Sequence, residues 1–120
     1  MRMVEINLEG RRPVDSCGSG GFRIGGVWQT GSVILTPGGL HGFEGPVDLE
    51  SLGPVIAQAG ELDVVLIGQG IEIAPLAGPM RVALEGAGIG VEIMSTASAC
   101  RTYNVLLAED RRVAAVLVAV

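Results

Sequence analysis

Gly90-Val91-Glu92-Ile93-Met94-Ser95-Thr96-Ala97-Ser98-Ala99-Cys100-Arg101-Thr102-Tyr103-Asn104 passes from strand-like to helix-like patterning without a linker. Gly90 to Met94 alternates apolar and polar residues and reads as a strand. Ser95 or Thr96 then offers a hydroxyl to the free amides of a helix expected to run to about Asp110. Arg111-Arg112 leaves room for only a short turn before Val113-Ala114-Ala115-Val116-Leu117-Val118, a final apolar strand.

Working upstream, Val64-Val65-Leu66-Ile67 is too short for a helix and is flanked by Asp63 and Gly68, so it predicts a strand covered on both faces. A helix starting near Pro79, with Val82, Ala83 and Ala87 inward and Gly88 as its stop, fills the interval to Gly90. Another helix is expected from Asp48, which caps it, with Leu49, Leu52, Val55, Ile56 and Ala59 as its apolar face and Gly60 at its end. The first half is richer in strands. Val4 to Leu8 alternates like a strand, a Gly/Ser/Arg loop follows, and Phe22 to Ile24, Val27-Trp28 and Ser32 to Thr36 form a meander that stops at Pro37-Gly38-Gly39.

Strands alternating with crossover helices define an α/β fold: a three-layer single domain over residues 1–120, with a mixed β-sheet, helices on its faces and a β-rich N-terminal half. The apolar terminal strand belongs near the centre of the sheet, while its direction is left open by the pattern.

Composition narrows the function classes. The chain has 120 residues, 48% of them hydrophobic, and 19 glycines. Its longest apolar run, Val113 to Val120, falls well short of the roughly 18 residues that span a bilayer, so a soluble protein is expected, not an integral membrane one. The N-terminus carries neither a secretory nor a transit pattern, which makes the cytoplasm the expected location. The formal net charge is −5, and the 8 basic residues are all arginines scattered along the chain, so the phosphate-neutralising stripe of a nucleic-acid binder is lacking. Without lysine there is no Schiff-base amine and no phosphate-loop ammonium. Cys17, Cys100 and His41 lack paired ligand spacing, so no metal and no cofactor are expected. A disulfide stays open from sequence, but a cytoplasmic chain keeps both thiols reduced and Cys100 reads as a small core residue.

The ligand- or partner-binding candidates lie on the third helix, at Arg101, Tyr103 and Asn104, at the Gly68-Gln69-Gly70 turn, and at Arg23. Arg101 and Asn104, three apart, share a helix face, and with Arg23 or the Gly68-Gln69-Gly70 backbone they could line a polar cleft for an anionic group or a partner's carboxylate. The structural alternative pairs Arg101 with Glu92 or Glu109, bonds Asn104 to loop backbone, and buries the Tyr103 ring with its hydroxyl satisfied. Gly68-Gln69-Gly70 follows a strand, where open α/β sheets place ligand crevices, but a dinucleotide fingerprint needs a third glycine and immediate helix entry. Catalysis has little support: a Cys100–His41 pair needs a distant loop to deliver the imidazole, and a His41–Glu44 acid/base pair is no better founded. Glu109-Asp110 beside Arg111-Arg112 reads as a solvated charge cluster.

Gly21-Phe22-Arg23-Ile24-Gly25-Gly26, Gly31-Ser32-Val33-Ile34-Leu35, Leu66-Ile67-Gly68-Gln69-Gly70, Gly88-Ile89-Gly90-Val91-Glu92-Ile93-Met94 and Ala99-Cys100-Arg101-Thr102-Tyr103-Asn104-Val105-Leu106, in this order, resemble the domain-of-unknown-function family four-nine-eight. That resemblance implies three layers around a mixed sheet with one antiparallel strand. The family includes a mitochondrial assembly factor of respiratory complex I, which implies a non-catalytic interaction or assembly protein with a protein partner. The competing expectation is a small anionic-ligand binding protein, or an enzyme, using the Arg101/Asn104 cleft. Homo-oligomerisation stays open, with Trp28 and Phe43 as contact candidates.

Overall fold

The computed structural model describes residues 12–120, so the strand expected at Val4 to Leu8 lies outside the described residues. Eight strands and three helices follow in order: β1 (Val14–Gly18), β2 (Gly21–Ile24), β3 (Val27–Thr30), β4 (Ser32–Thr36), β5 (Gly39–Phe43), α1 (Gly53–Ile56), β6 (Val64–Gly68), α2 (Gly78–Gly86), β7 (Gly90–Met94), α3 (Thr96–Ala108) and β8 (Val113–Leu117). The main sheet has five strands in the order β5-β4-β8-β6-β7, and β1-β2-β3 form a separate three-stranded antiparallel sheet. β8 is central, parallel to β6 and antiparallel to β4. Because β5 in turn runs antiparallel to β4 and β7 parallel to β6, β4 is the one strand that opposes the rest.

All five residues of β8 are buried, as a strand covered on both faces requires. α2 carries the chain from β6 out to β7, and α3 carries it back past β6 to β8. Right-handed crossovers in opposite directions place their helices on opposite faces. One face of the sheet packs Val33, Leu35, Leu66, Ala115 and Leu117 against Val14, Phe22 and Ile24 of the small sheet and Ala99, Cys100, Tyr103 and Leu107 of α3. The other packs Ile34, Val65, Ile67, Ala114 and Val116 against Leu52, Val55, Leu62, Leu84 and Ile89.

Several local expectations are corrected. The helix expected from Asp48 to Ala59 is reduced to α1, followed by a 3-10 turn at Ala59–Glu61. Pro54 lacks an amide hydrogen and fits only a first helical turn, so the helix starts at Gly53-Pro54 rather than passing through it. Asp48 instead closes its own turn, accepting from the Ser51 amide at 2.8 Å while its amide donates to the Ser51 hydroxyl at 2.9 Å, and Leu49 is exposed. In α2 the inward residue is Leu84, and Val82, expected inside, is 71% exposed. This helix ends in a Schellman motif, with the Gly88 amide on the Glu85 carbonyl, the Ile89 amide on the Leu84 carbonyl, and Gly88 at φ +85°. β1 and β5 were not legible in the sequence. Their glycines and polar residues give weak strand propensity, and tertiary pairing supplies what propensity lacks.

Candidate functional site

The carboxyl ends of β6, β7 and β8 meet where Gly68, Met94 and Leu117 lie in register. The connections leaving β6 and β7 diverge there to opposite faces of the sheet, the position at which open α/β folds form a crevice. Backbone geometry at this edge is tightly determined. The Gln69 amide donates to the Met94 carbonyl at 2.9 Å, and the Gly70 carbonyl accepts from the Thr96 amide at 2.9 Å. The Gly70 amide donates to Thr96 Oγ1 at 2.8 Å, and that hydroxyl donates to the Val118 carbonyl at 2.7 Å. Ser95 is the cap of α3, accepting from the Ser98 amide, which leaves the neighbouring Thr96 to point inward and tie three segments together. A side chain at Gly68 would meet the Thr96 Cα at 2.9 Å, so glycine is required for this approach. The amides of Gln69 and Gly70 are therefore engaged within the fold and do not form an open anion cradle.

Beyond this turn the chain loops from Gln69 to Ala77. Gln69 Oε1 accepts from the Ala74 amide at 2.8 Å and holds the loop in shape. The loop walls an open groove of about 350 Å³ with Val47, Leu76, Met80 and Val118 as apolar lining and Gln69 and Glu72 as polar lining. On the same loop, Ile71 is 85% exposed and Ile73 57%. Nothing in the local sequence marks these two isoleucines as uncovered. Their spacing around Glu72 matches an ordinary strand alternation, and only the fold shows that neither is covered.

The third-helix candidates are distributed differently. Asn104 is half-buried, with Oδ1 accepting from the Val14 amide at 2.8 Å and Nδ2 donating to the Val14 carbonyl at 2.7 Å. Arg101 is exposed and donates to the Ser98 hydroxyl at 3.3 Å, not to Glu92 or Glu109. Arg23 faces solvent, donating to the Gly26 carbonyl at 3.1 Å, while its neighbours Phe22 and Ile24 face the core. Tyr103 is buried against the same core and walls a separate cavity between α3 and the small sheet. Arg23 thus points away from the face on which Tyr103 packs. A ligand seated on the Asn104 carboxamide would have to displace β1.

Of the two catalytic pairs, Cys100 and His41 separate, whereas His41 and Glu44 line one groove. His41 and Ile34 line one open groove of about 440 Å³ with Glu44, Asp48 and Glu50. Ile34 belongs to the core on the α1 and α2 side, whereas Cys100 belongs to the core on the α3 side, so the sheet stands between thiol and imidazole. Burial, and then the adjoining Cys17 thiol, push the Cys100 thiol up to about 12, the opposite of an activated nucleophile. Among the described residues no group of three or more His, Cys, Asp or Glu could hold a metal ion, and no helix is long and apolar enough to cross a membrane.

Residues 14–118 match the family described as proteins of unknown function DUF498/DUF598, and the chain belongs to it. It is 42% identical over 113 residues to an uncharacterized protein of Rhodobacter capsulatus, covering 94% of this chain and 89% of that one. NADH dehydrogenase [ubiquinone] 1 alpha subcomplex assembly factor 3 of Danio rerio is 31% identical over 102 residues, covering 82% of this chain but only 59% of that protein. Among solved structures, one described as an outer membrane protein from Bartonella henselae superposes with a TM-score of 0.89 at 41% identity, covering 92% of this chain and 97% of that one. A Rhodopseudomonas palustris protein superposes with a TM-score of 0.78 at 32% identity, covering 100% of this chain and 93% of the other.

Proposed function

We propose that this protein works by binding rather than by chemistry, as a cytoplasmic interaction protein of the assembly-factor type. Its partner is a protein, of the class that the assembly-factor relatives point to: a subunit of a respiratory or other membrane complex. One observation carries the reading. The Gln69–Ala77 loop is anchored through Gln69 and Gly70 yet presents Ile71 and Ile73 to water beside an apolar groove, a combination that favours burial against a second surface. In this reading Gly68, Gln69 and Gly70 shape the binding edge, and Asn104 and Tyr103 hold the scaffold behind it. Arg101 and Arg23 offer exposed guanidiniums to a partner's carboxylates.

The test is a strain lacking this chain, complemented by wild type or by Ile71→Asp/Ile73→Asp, with the assembled NADH dehydrogenase complex measured on native gels. The complex is expected to fall in the deletion, to return with wild type and to stay low with the double variant. Both isoleucines are solvent-exposed, so the variant keeps its fold. An unchanged complex in the deletion strain overturns the assembly role, and full complementation by the double variant overturns the loop as its surface.

A further inference from the structure

At the other end of the sheet, on the α3 face, the small sheet, the β4–β5 hairpin and α3 line a partly open cavity of about 280 Å³. Its apolar wall is Ile24, Val27, Leu35 and Leu40. Its polar lining divides into groups that the fold has used and groups it has not. Thr36 Oγ1 is saturated, accepting from the Gly38 amide and Gln58 Nε2 and donating to the Gly39 carbonyl. Tyr103 is engaged as well. Arg12 and Gln29 are different: neither side chain makes a hydrogen bond or ion pair with a described residue.

Arg12 stands solvent-exposed at this cavity with its aliphatic stem lying on Gly25. A Cβ at Gly25 would overlap the Arg12 stem, and Gly25 has φ +56°, so the seat under the arginine exists because that residue has no side chain. Arg12 is the one charged residue among the described residues lining the cavity, in a chain whose formal net charge is −5. A guanidinium presents a planar fork that fits a carboxylate through two parallel hydrogen bonds, and the Gln29 carboxamide adds a further donor. The walls away from Arg12 and Gln29 offer aliphatic surface to a tail.

We propose that this cavity is a binding site for a small monocarboxylate with a short aliphatic tail, its carboxylate held by Arg12 and Gln29 and its tail against Ile24, Val27, Leu35 and Leu40. The space of about 280 Å³, partly open to solvent, accommodates an acid of six to eight carbons. The site lies apart from the Gln69–Ala77 loop, so it stands or falls independently of the assembly role.

The experiment titrates hexanoate into the full chain and follows amide and side-chain NMR resonances, with 1-hexanol as the uncharged control. Hexanoate is expected to saturate by ~10 mM and to shift the Gln29 side-chain amide together with Val27 and Leu40. Arg12→Gln, at an exposed position that leaves folding intact, is expected to weaken binding about tenfold or more, and Val27→Glu to abolish it by placing a like charge beside the carboxylate. The proposal is overturned if hexanoate leaves these resonances unmoved, if 1-hexanol binds as well as hexanoate, or if Arg12→Gln binds like wild type.

Discussion

Asn104 of α3 hydrogen-bonds both the amide and the carbonyl of Val14, so its carboxamide stands in for a neighbouring strand along the edge of β1. The residue that looks most like a binding group in the sequence is thereby the clasp between the helix and the small sheet. Leaving two part-buried backbone groups unpartnered costs about 1–3 kcal/mol. Asn104→Ala is therefore expected to lower the unfolding free energy by that amount, read as a lower urea midpoint at unchanged slope, and to speed hydrogen exchange at the Val14 amide. If exchange at Val14 stays as slow as in wild type, the clasp does not hold β1.

Thr96 ties the β6 turn to the last strand through one buried hydroxyl, which accepts from the Gly70 amide and donates to the Val118 carbonyl. Thr96→Val keeps the shape and removes both bonds, for an expected loss of roughly 2 kcal/mol at unchanged denaturant slope. Gly68→Ala is expected to destabilise by a similar ~1–3 kcal/mol, because its methyl group would press on the Thr96 Cα, which backbone rather than a flexible side chain must yield to. A stability within error of wild type for both variants contradicts this account of the turn.

Cys17 of β1 and Cys100 of α3 adjoin one another as free thiols, half-buried and buried respectively. The Cys100 value, pushed up to about 12 from an ordinary 9.0, leaves it protonated at neutral pH. At about pH 8, Cys17 is expected to react with a thiol reagent well before Cys100, which waits for the fold to open. A raised value also fixes the sign of the pH dependence. The contribution of Cys100 to stability is complete below its ordinary value and declines as pH rises from there toward about 12, so Cys100→Ala is expected to flatten the alkaline loss. Equal labelling rates at both thiols, followed by mass spectrometry, would count against the burial of Cys100.

Much of the fold was legible because periodicity reports burial. The runs Val64 to Ile67, Gly90 to Met94 and Val113 to Val118, with a capped helix between the last two, fixed three strands, α3 and the three-layer class. The first helix failed because the apolar spacing from Leu49 to Ala59 takes no account of the proline ring at Pro54. Of the small sheet, β2 and β3 were legible and β1 was not, because β1 is held by cross-strand pairing and by Asn104, a partner that lies far along the chain. For the candidate site, the residue types were legible and their employment was not. Asn104 and the Gly68–Gly70 turn stand out in the sequence, yet their polar groups are turned toward the fold itself.

The sequence by itself determined the α/β class, the central apolar strand and the poverty of reactive groups, since these depend on local pattern and on composition. Only the tertiary structure decided the direction of β8, the sheet standing between His41 and Cys100, and which polar groups remain unused. Hydrogen-bond satisfaction is settled between residues distant in sequence: Val14 claims Asn104 and Gly70 claims Thr96, while Arg12 and Gln29 are claimed by no described residue.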